Sequence, residues 1–387
     1  MTRATDFLPH DWRDALLLGR VLTADGPTPV LLRGGRVIDI SRFAPTAADA
    51  VAKGGLAGAT GEDMGAVEDL TVGSAWGEGE TSLLSPLDLQ CVKASGVTFA
   101  VSALERVIEE RARGVATAAA DIRARLSDRI GGDLKAVRPG SDQAATLKQA
   151  LIADGLWSQY LEVAIGPDAE IFTKAPVLSS VGWGAQVGVR SDSAWNNPEP
   201  EVVLVCDPEG RAVGAALGND VNLRDIEGRS ALLLGKAKDN NAAAAVGPFI
   251  RLFDDGFTLD DVRGATVELE VRGEDGFVLS GASSMSLISR DPLELARQAA
   301  GANHQYPDGF ALYLGTMFAP VQDRDAPGGG FTHKVGDRVK VSSERLGVLE
   351  NIVTTCDRAP PWTTGISALM RNLAQRGLLA GLPGDAA

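Results

Sequence analysis

Asn196-Asn197-Pro198-Glu199-Pro200-Glu201 leads into the apolar run Val202-Val203-Leu204-Val205-Cys206. Asp207-Pro208-Glu209-Gly210-Arg211 separates that run from a second one, Ala212 to Leu217, which ends in Gly218-Asn219-Asp220. Two apolar runs around a turn-like stretch predict a β-hairpin with carboxylates at its open end. Side chains alternate along a strand, so Glu199 and Glu201 share a face. With Pro208 to Arg211 as the loop, Asp207 pairs with Ala212, and counting back puts Asp220 opposite Glu199. The three carboxylates then meet at neighbouring cross-strand positions, roughly 5 Å apart. A one-residue slip would send Asp220 to the other face. Three facing anions call for a cation, and an all-oxygen set suits a hard divalent ion such as Mg²⁺, Mn²⁺ or Ca²⁺. The Glu-x-Glu pair alone would suit a solvated strand edge; Asp220 tips the reading toward metal ligands.

The 387 residues suggest two domains, or one large one with an appendage, and 44% hydrophobic content supplies a full core. A formal charge of −14 argues against nucleic acid and anionic membranes, which need basic surface. It leaves anionic small substrates open, because a bound metal inverts the local field. Cys91, Cys206 and Cys356 are widely spaced, as suits reduced thiols, and His10, His304 and His333 are too scattered for a zinc site. The N-terminus lacks an apolar signal-peptide core and no stretch reaches membrane-span length, so the expected location is the cytoplasm.

Residues 1–86 read as a small separate unit. Ala15 to Val21 and Pro29 to Arg33 have strand character, Gly34-Gly35 makes a hairpin turn into Val37 to Ile40, and Ala50 to Ser82 reads as loose. Ala103 to Arg129 has a helical pattern, with Val107, Ile108, Ile122 and Leu126 on the apolar face and Gly131-Gly132 as the stop; a second helix is expected over Ala144 to Asp154. Beyond it short β-rich segments dominate: Leu161 to Ile165, Gln186 to Val189, the hairpin, Thr266 to Val271, Arg338 to Val341 and Leu349 to Thr354. Their spacing points to a roll or sandwich of sheets, and neither a dinucleotide fingerprint nor a phosphate loop is present.

Other residues could carry chemistry. Lys236 and Lys238 follow the hairpin; a lysine held near a metal and away from water can have a lowered pKa and act as a base, whereas two plain surface lysines would look the same. Ser102 and Glu105 lie three apart at a strand-to-helix junction, where a serine cap with its capping-box glutamate is the ordinary reading. Arg190 either grips a substrate carboxylate or pairs with an acid such as Asp192. Thr316 is either a substrate-facing hydroxyl or a plain strand end.

In this order the pieces resemble the fumarylacetoacetate hydrolase superfamily. The matching segments are Pro198-Glu199-Pro200-Glu201, Gly218-Asn219-Asp220-Val221 with Arg224-Asp225, the lysine before Gly247-Pro248, Gly315-Thr316, and Gly336-Asp337-Arg338-Val339 with Leu346 to Asn351. The resemblance implies an α+β chain: a mixed β-roll catalytic domain over 87–387, a small N-terminal α/β domain over 1–86, and usually a homodimer. It also implies Mg²⁺ or Mn²⁺ on Glu199, Glu201 and Asp220, with the active-site lysine at Lys238 and Lys236 as the fallback. Ser102 stands where hydrolytic members carry a histidine, while Glu105 keeps the glutamate; this removes the obvious base for activating water. Within the superfamily, Gly155 to Tyr160, Trp195 to Glu201, Lys236 to Asn241 and His304 to Gly309 look most like the 2-keto-3-deoxypentonate (2-dehydro-3-deoxy-D-arabinonate) dehydratases of pentose breakdown, hydro-lyases that form 2,5-dioxopentanoate.

The expected chemistry is a metal-dependent dehydration. Lys238 is the candidate base at C3, and Glu105 the candidate acid for the C4 hydroxyl if its helix folds over the site. Arg190, Ser102 and Thr316 are candidates for binding the substrate. The alternative is a C–C bond hydrolase or decarboxylase of acylpyruvates or diketo acids, and a metal-stabilised protein without turnover is a third possibility.

Overall fold

The computed structural model describes residues 2–119, 121–123, 134, 137–318 and 320–379. Two sheets carry the fold. The larger has thirteen strands, and the hairpin Pro200–Cys206 and Ala212–Asp220 lies inside it, flanked by Ala244–Leu252 and Phe310–Tyr313. Val202, Leu204, Ala215 and Leu217 face one apolar core, whereas Val203, Val205 and Ala216 face another on the opposite side. Both faces are covered, which explains why these strands read as continuous apolar runs. The five-stranded sheet supplies the first core with Val187, Leu269, Val339, Leu349 and Val353. Its strand Thr266–Arg272 alternates buried and outward residues over most of its length. On the other side, the helix Ala47–Lys53 packs Ala47, Ala50 and Val51 against the second core.

The strand Leu17–Thr23 pairs with Ala244–Leu252 through Leu18 and Ile250, so N-terminal strands extend the large sheet. The expected hairpin at Gly34-Gly35 forms between Gly26–Arg33 and Arg36–Asp39. Two segments differ from the sequence reading. Ala50 to Ser82 is not loose: it holds the end of the helix Ala47–Lys53, the strands Glu62–Ala66 and Thr71–Gly73, and the first half of Thr81–Leu84. Glu62–Ala66 is an exposed edge, so it lacks the apolar alternation that would mark it. Leu161 to Ile165 belongs to the helix Gln159–Ile165, capped by Ser158, which accepts from the Tyr160 N–H. Tyr160, Leu161, Ala164 and Ile165 form its buried face, a helical spacing.

The first long helix runs Ala100–Ala112 and stops where Arg113 turns left-handed (φ 52°) before Gly114. Leu126 and the Gly131-Gly132 stop lie outside the described residues. The second helix is Asp142–Ala153. These helices and Gln159–Ile165 share a third apolar cluster that includes Val107, Ile108, Leu151, Leu161 and Trp195. Packing through Trp195 brings the helix Ala100–Ala112 to the open end of the carboxylate hairpin. Among the described residues, no helix is long and apolar enough to cross a membrane.

Candidate metal centre

The hairpin keeps the expected register by an unexpected route. Its turn is one residue tighter than the sequence suggested: the Asp207 N–H donates to Arg211 O at 3.0 Å, and Cys206 pairs with Ala212. Asp207 Oδ1 closes this turn by accepting from the Glu209 and Arg211 N–H groups. A bulge between Val205 and Cys206 absorbs the slip, so Glu201 pairs with Gly218 and Pro200 with Asn219. The Asp220 N–H donates to Glu199 O at 3.0 Å, placing these residues opposite each other as expected. Glu199, Glu201 and Asp220 are all buried, and each offers an oxygen within 4.8 Å of the others. That excludes the solvated-edge reading.

Lysines and arginines crowd two of the three carboxylates. Lys238, at the end of the helix Leu234–Lys238, donates to Glu199 Oε2 at 2.5 Å and to Asp220 Oδ2 at 3.0 Å. Lys174 Nζ lies 2.7 Å from Asp220 Oδ1 and donates to the backbone oxygens of Lys238 and Val221. Arg106 donates to Glu199 Oε1 at 2.7 Å. Glu201 differs: its Oε2 accepts the Gly315 N–H at 2.6 Å, and among the described residues no lysine or arginine pairs with it. Gly315 has φ +89°, and a Cβ there would lie 2.0 Å from Thr98 Oγ1, so this backbone donor needs a glycine.

Burial, then repulsion from Asp220 and Glu199, holds the Glu201 carboxyl well above the usual range. Burial pushes Asp220 the same way, but Lys174 and Lys238 outweigh it and leave Asp220 below its ordinary value. The unpaired Glu201 is where the cluster is short of positive charge. Three convergent oxygen donors, one of them uncompensated, fit a hard divalent cation.

Lys238 departs from the sequence reading in one respect. Burial lowers its pKa, but Asp220, Glu199 and Glu227 raise it further, so its ammonium form is favoured in this arrangement. Glu105 does not cap the helix. Both its oxygens accept from Arg123, at 2.8 and 2.5 Å, and Oε2 also from Arg224 at 3.2 Å. Nor is Ser102 the N-cap: Phe99 holds that position, and Ser102, three residues into the helix, reaches back to it, its Oγ accepting from the Phe99 N–H and donating to Phe99 O. Ser102, Glu105, Thr316 and Lys238 all line the cleft over the carboxylates. Arg190 does not: it forks Asp192 with two hydrogen bonds of 2.8 Å, the other option its sequence left open. Lys236 also pairs with Asp192, away from the carboxylates.

Sequence reasoning missed the charged lattice behind the site. Arg106 ties Glu199 to Glu109 (2.6 Å) and Glu227 (3.0 Å), and Arg224 ties Glu109 (2.6 Å) to Glu105. The available signal was Glu105-Arg106 with Glu109 one helical turn on, a pattern normally spent on solvent. Glu227 is fully buried, and its carboxyl is pushed up to about 7 by burial, against the pull of Arg106 and Lys238. Ser95, Val97, Phe172, Asn197 and Phe318 complete the cleft, which holds about 510 Å³ of empty space including its mouth.

The chain superposes on 2-keto-3-deoxy-D-arabinonate dehydratase in its apo form with a TM-score of 0.63 at 21% identity, covering 88% of this chain and 99% of the other. The form complexed with magnesium and 2,5-dioxopentanoate gives 0.62 at 22% identity with the same coverage. A fumarylacetoacetate hydrolase from Exiguobacterium antarcticum gives 0.53 at 17% identity, covering 88% of this chain and all of that one. The chain has the fumarylacetoacetate hydrolase fold. In sequence it is 31% identical over 196 residues to a probable 2-keto-3-deoxyxylonate dehydratase of Haloferax volcanii, matching 51% of this chain and 64% of that protein. It is 30% identical over 180 residues to the 2-dehydro-3-deoxy-D-arabinonate dehydratase of Saccharolobus solfataricus, matching 46% of this chain and 57% of that protein. The matches thus span less than two thirds of either relative. No family model matches the chain.

Proposed function

We propose that this protein is a hydro-lyase that removes water from a 2-keto-3-deoxy-D-pentonate and forms 2,5-dioxopentanoate, with Mg²⁺ or Mn²⁺ at Glu199, Glu201 and Asp220. The observation that carries the reading is the buried carboxylate cluster with Glu201 uncompensated, in a chain whose curated relatives are named as dehydratases of such acids. A divalent ion held there supplies Lewis-acid polarisation of a 2-keto carbonyl. The chain's own residues handle the protons. Lys238 Nζ is our base for the C3 proton, acting once the carboxylates that hold its ammonium are engaged elsewhere. The C4–O bond breaks as an acid protonates the leaving hydroxyl to water, and tautomerisation then leaves the aldehyde at C5. Glu105 remains a candidate for that acid, although three N–H groups already occupy its oxygens. Glu227 is the second candidate, because its carboxyl holds a proton near neutral pH. Ser102 and Thr316 border the substrate, while Arg190 would act only from outside the cleft.

Elimination is favoured over acylpyruvate hydrolysis because Ser102, where hydrolytic relatives carry histidine, spends its hydroxyl on the helix cap. Residues 1–86 are read as a small α/β unit beside the catalytic domain 87–387, the location as cytoplasmic and the assembly as a homodimer. Ile366 and Met370, one turn apart and exposed on the helix Ile366–Gln375, offer an apolar face for a second copy. The test is mass spectrometry of products from 2-keto-3-deoxypentonate. Finding 2,5-dioxopentanoate supports the assignment; pyruvate plus a two-carbon fragment rejects it.

A further inference from the structure

Among the described residues, two polar groups in the cleft have no hydrogen-bond or ion-pair partner. Ser95 Oγ and Asn197 Oδ1 are buried without a hydrogen bond, and both residues line the cleft above the carboxylates. Each residue is 2% exposed. A buried hydroxyl or carbonyl left unpaired has given up its hydration for nothing in return, so such groups call for a bound molecule to satisfy them. The amide orientation of Asn197 is fixed by its Nδ2, which donates to Pro198 O at 2.9 Å; the atom left over is therefore the acceptor. Ser95 is the next-to-last residue of the strand Cys91–Gly96, which runs into Val97, a β-branched residue at φ 56° that also lines the cleft.

We infer that Ser95 and Asn197 form a subsite for the hydroxyl groups of the substrate chain, so that the cleft selects hydroxylated 2-keto acids. This rests on the keto-acid reading above and deepens it. The chemistry is asymmetric. Asn197 Oδ1 only accepts, and so does a keto or carboxylate oxygen, so a diketo acid presents the wrong partner. A hydroxyl can donate to Asn197 Oδ1 and either donate to or accept from Ser95 Oγ. A site built to bond a hydroxyl rejects the analogue that lacks it, because its buried groups are then left unpaired.

The experiment is calorimetric binding, in Mg²⁺, of 4-hydroxy-2-oxopentanoate, 5-hydroxy-2-oxopentanoate and unhydroxylated 2-oxopentanoate. The full chain is compared with its Ser95→Ala and Asn197→Ala variants, with thermal melts confirming that each variant folds. At least one hydroxylated acid should bind the unmodified protein about tenfold more tightly than 2-oxopentanoate, a difference of ~1.4 kcal/mol. Ser95→Ala should remove most of that preference and leave 2-oxopentanoate binding unchanged. No preference in the unmodified protein, or one that survives Ser95→Ala, overturns the inference; Asn197→Ala provides the same comparison if Ser95→Ala fails to fold. Because binding is read directly, a protein that keeps the preference yet never dehydrates the pentonate defeats the dehydratase reading and leaves this subsite standing.

Discussion

Replacing Glu201 by glutamine removes one of three clustered negative charges while keeping an oxygen for the Gly315 N–H. Mn²⁺ affinity, followed by titration calorimetry, should fall at least tenfold, and turnover with it. The metal-free fold should melt no lower than the parent, because the lost group is the one without a cation. pH separates the two effects. Burial raises the carboxyls of Glu201 and Glu227, so folding holds their protons more tightly than the unfolded chain does. Their contribution to stability is full below the unfolded value of 4.5 and is lost as pH rises, through about 7 for Glu227. In EDTA the Tm should therefore decline between about pH 5 and 8, less steeply in Glu201→Gln, and Mg²⁺ should restore most at the alkaline end. A metal-free Tm that climbs over this range would contradict the assignment of Glu201. At this scale the sequence brought the three carboxylates together, because register is a local property, and Lys238 lies against two of them. It could not settle Arg190 between Asp192 and a substrate, nor place Arg106 and Lys174, whose partners lie 93 and 46 positions along the chain.

The helix Ala100–Ala112 is fastened to the metal hairpin by charge. Arg106 reaches from its middle to Glu199, Glu109 and Glu227, so Arg106→Met leaves three buried carboxylates short of one shared cation. Breaking such a cluster from one side costs about 3–5 kcal/mol. The expected result is a clear fall in Tm together with weaker Mn²⁺ binding; an unchanged Tm would show that the network contributes little. Elements were legible where pattern and local signal agreed. The hairpin carried apolar runs on either side of a turn whose Asp207 bonds its own backbone, and its bulge restored the register that a longer loop would have set. Leu161 to Ile165 reads as a strand because Val163 and Ile165 carry β propensity, and only packing against the neighbouring helices makes it part of the helix Gln159–Ile165. The strands within Ala50 to Ser82 were invisible for the opposite reason, being too short or too exposed to show alternation.

In the whole molecule, the N-terminal strand Leu17–Thr23 is two strands away from Asp220 within one sheet, with Ala244–Leu252 between them. Long-range pairing of this kind links 1–86 to the metal hairpin mechanically. Calorimetric unfolding should show one transition that Mg²⁺ moves as a whole, since a ligand stabilises whatever unfolds with its site; a separate early transition untouched by Mg²⁺ would mean that residues 1–86 melt independently. The number and spacing of strands pointed to a roll or sandwich of sheets and the family resemblance to an α+β chain, whereas the joining of the N-terminal strands to the main sheet depends on pairings no local pattern encodes. The most direct test of the account is NMR of 2-keto-3-deoxypentonate incubated with metal-stripped protein, recorded before and after Mg²⁺ is returned. The account predicts no enzymatic change without metal and the appearance of 2,5-dioxopentanoate once Mg²⁺ is added. Full conversion by the stripped protein, or no conversion with Mg²⁺ bound, would contradict it.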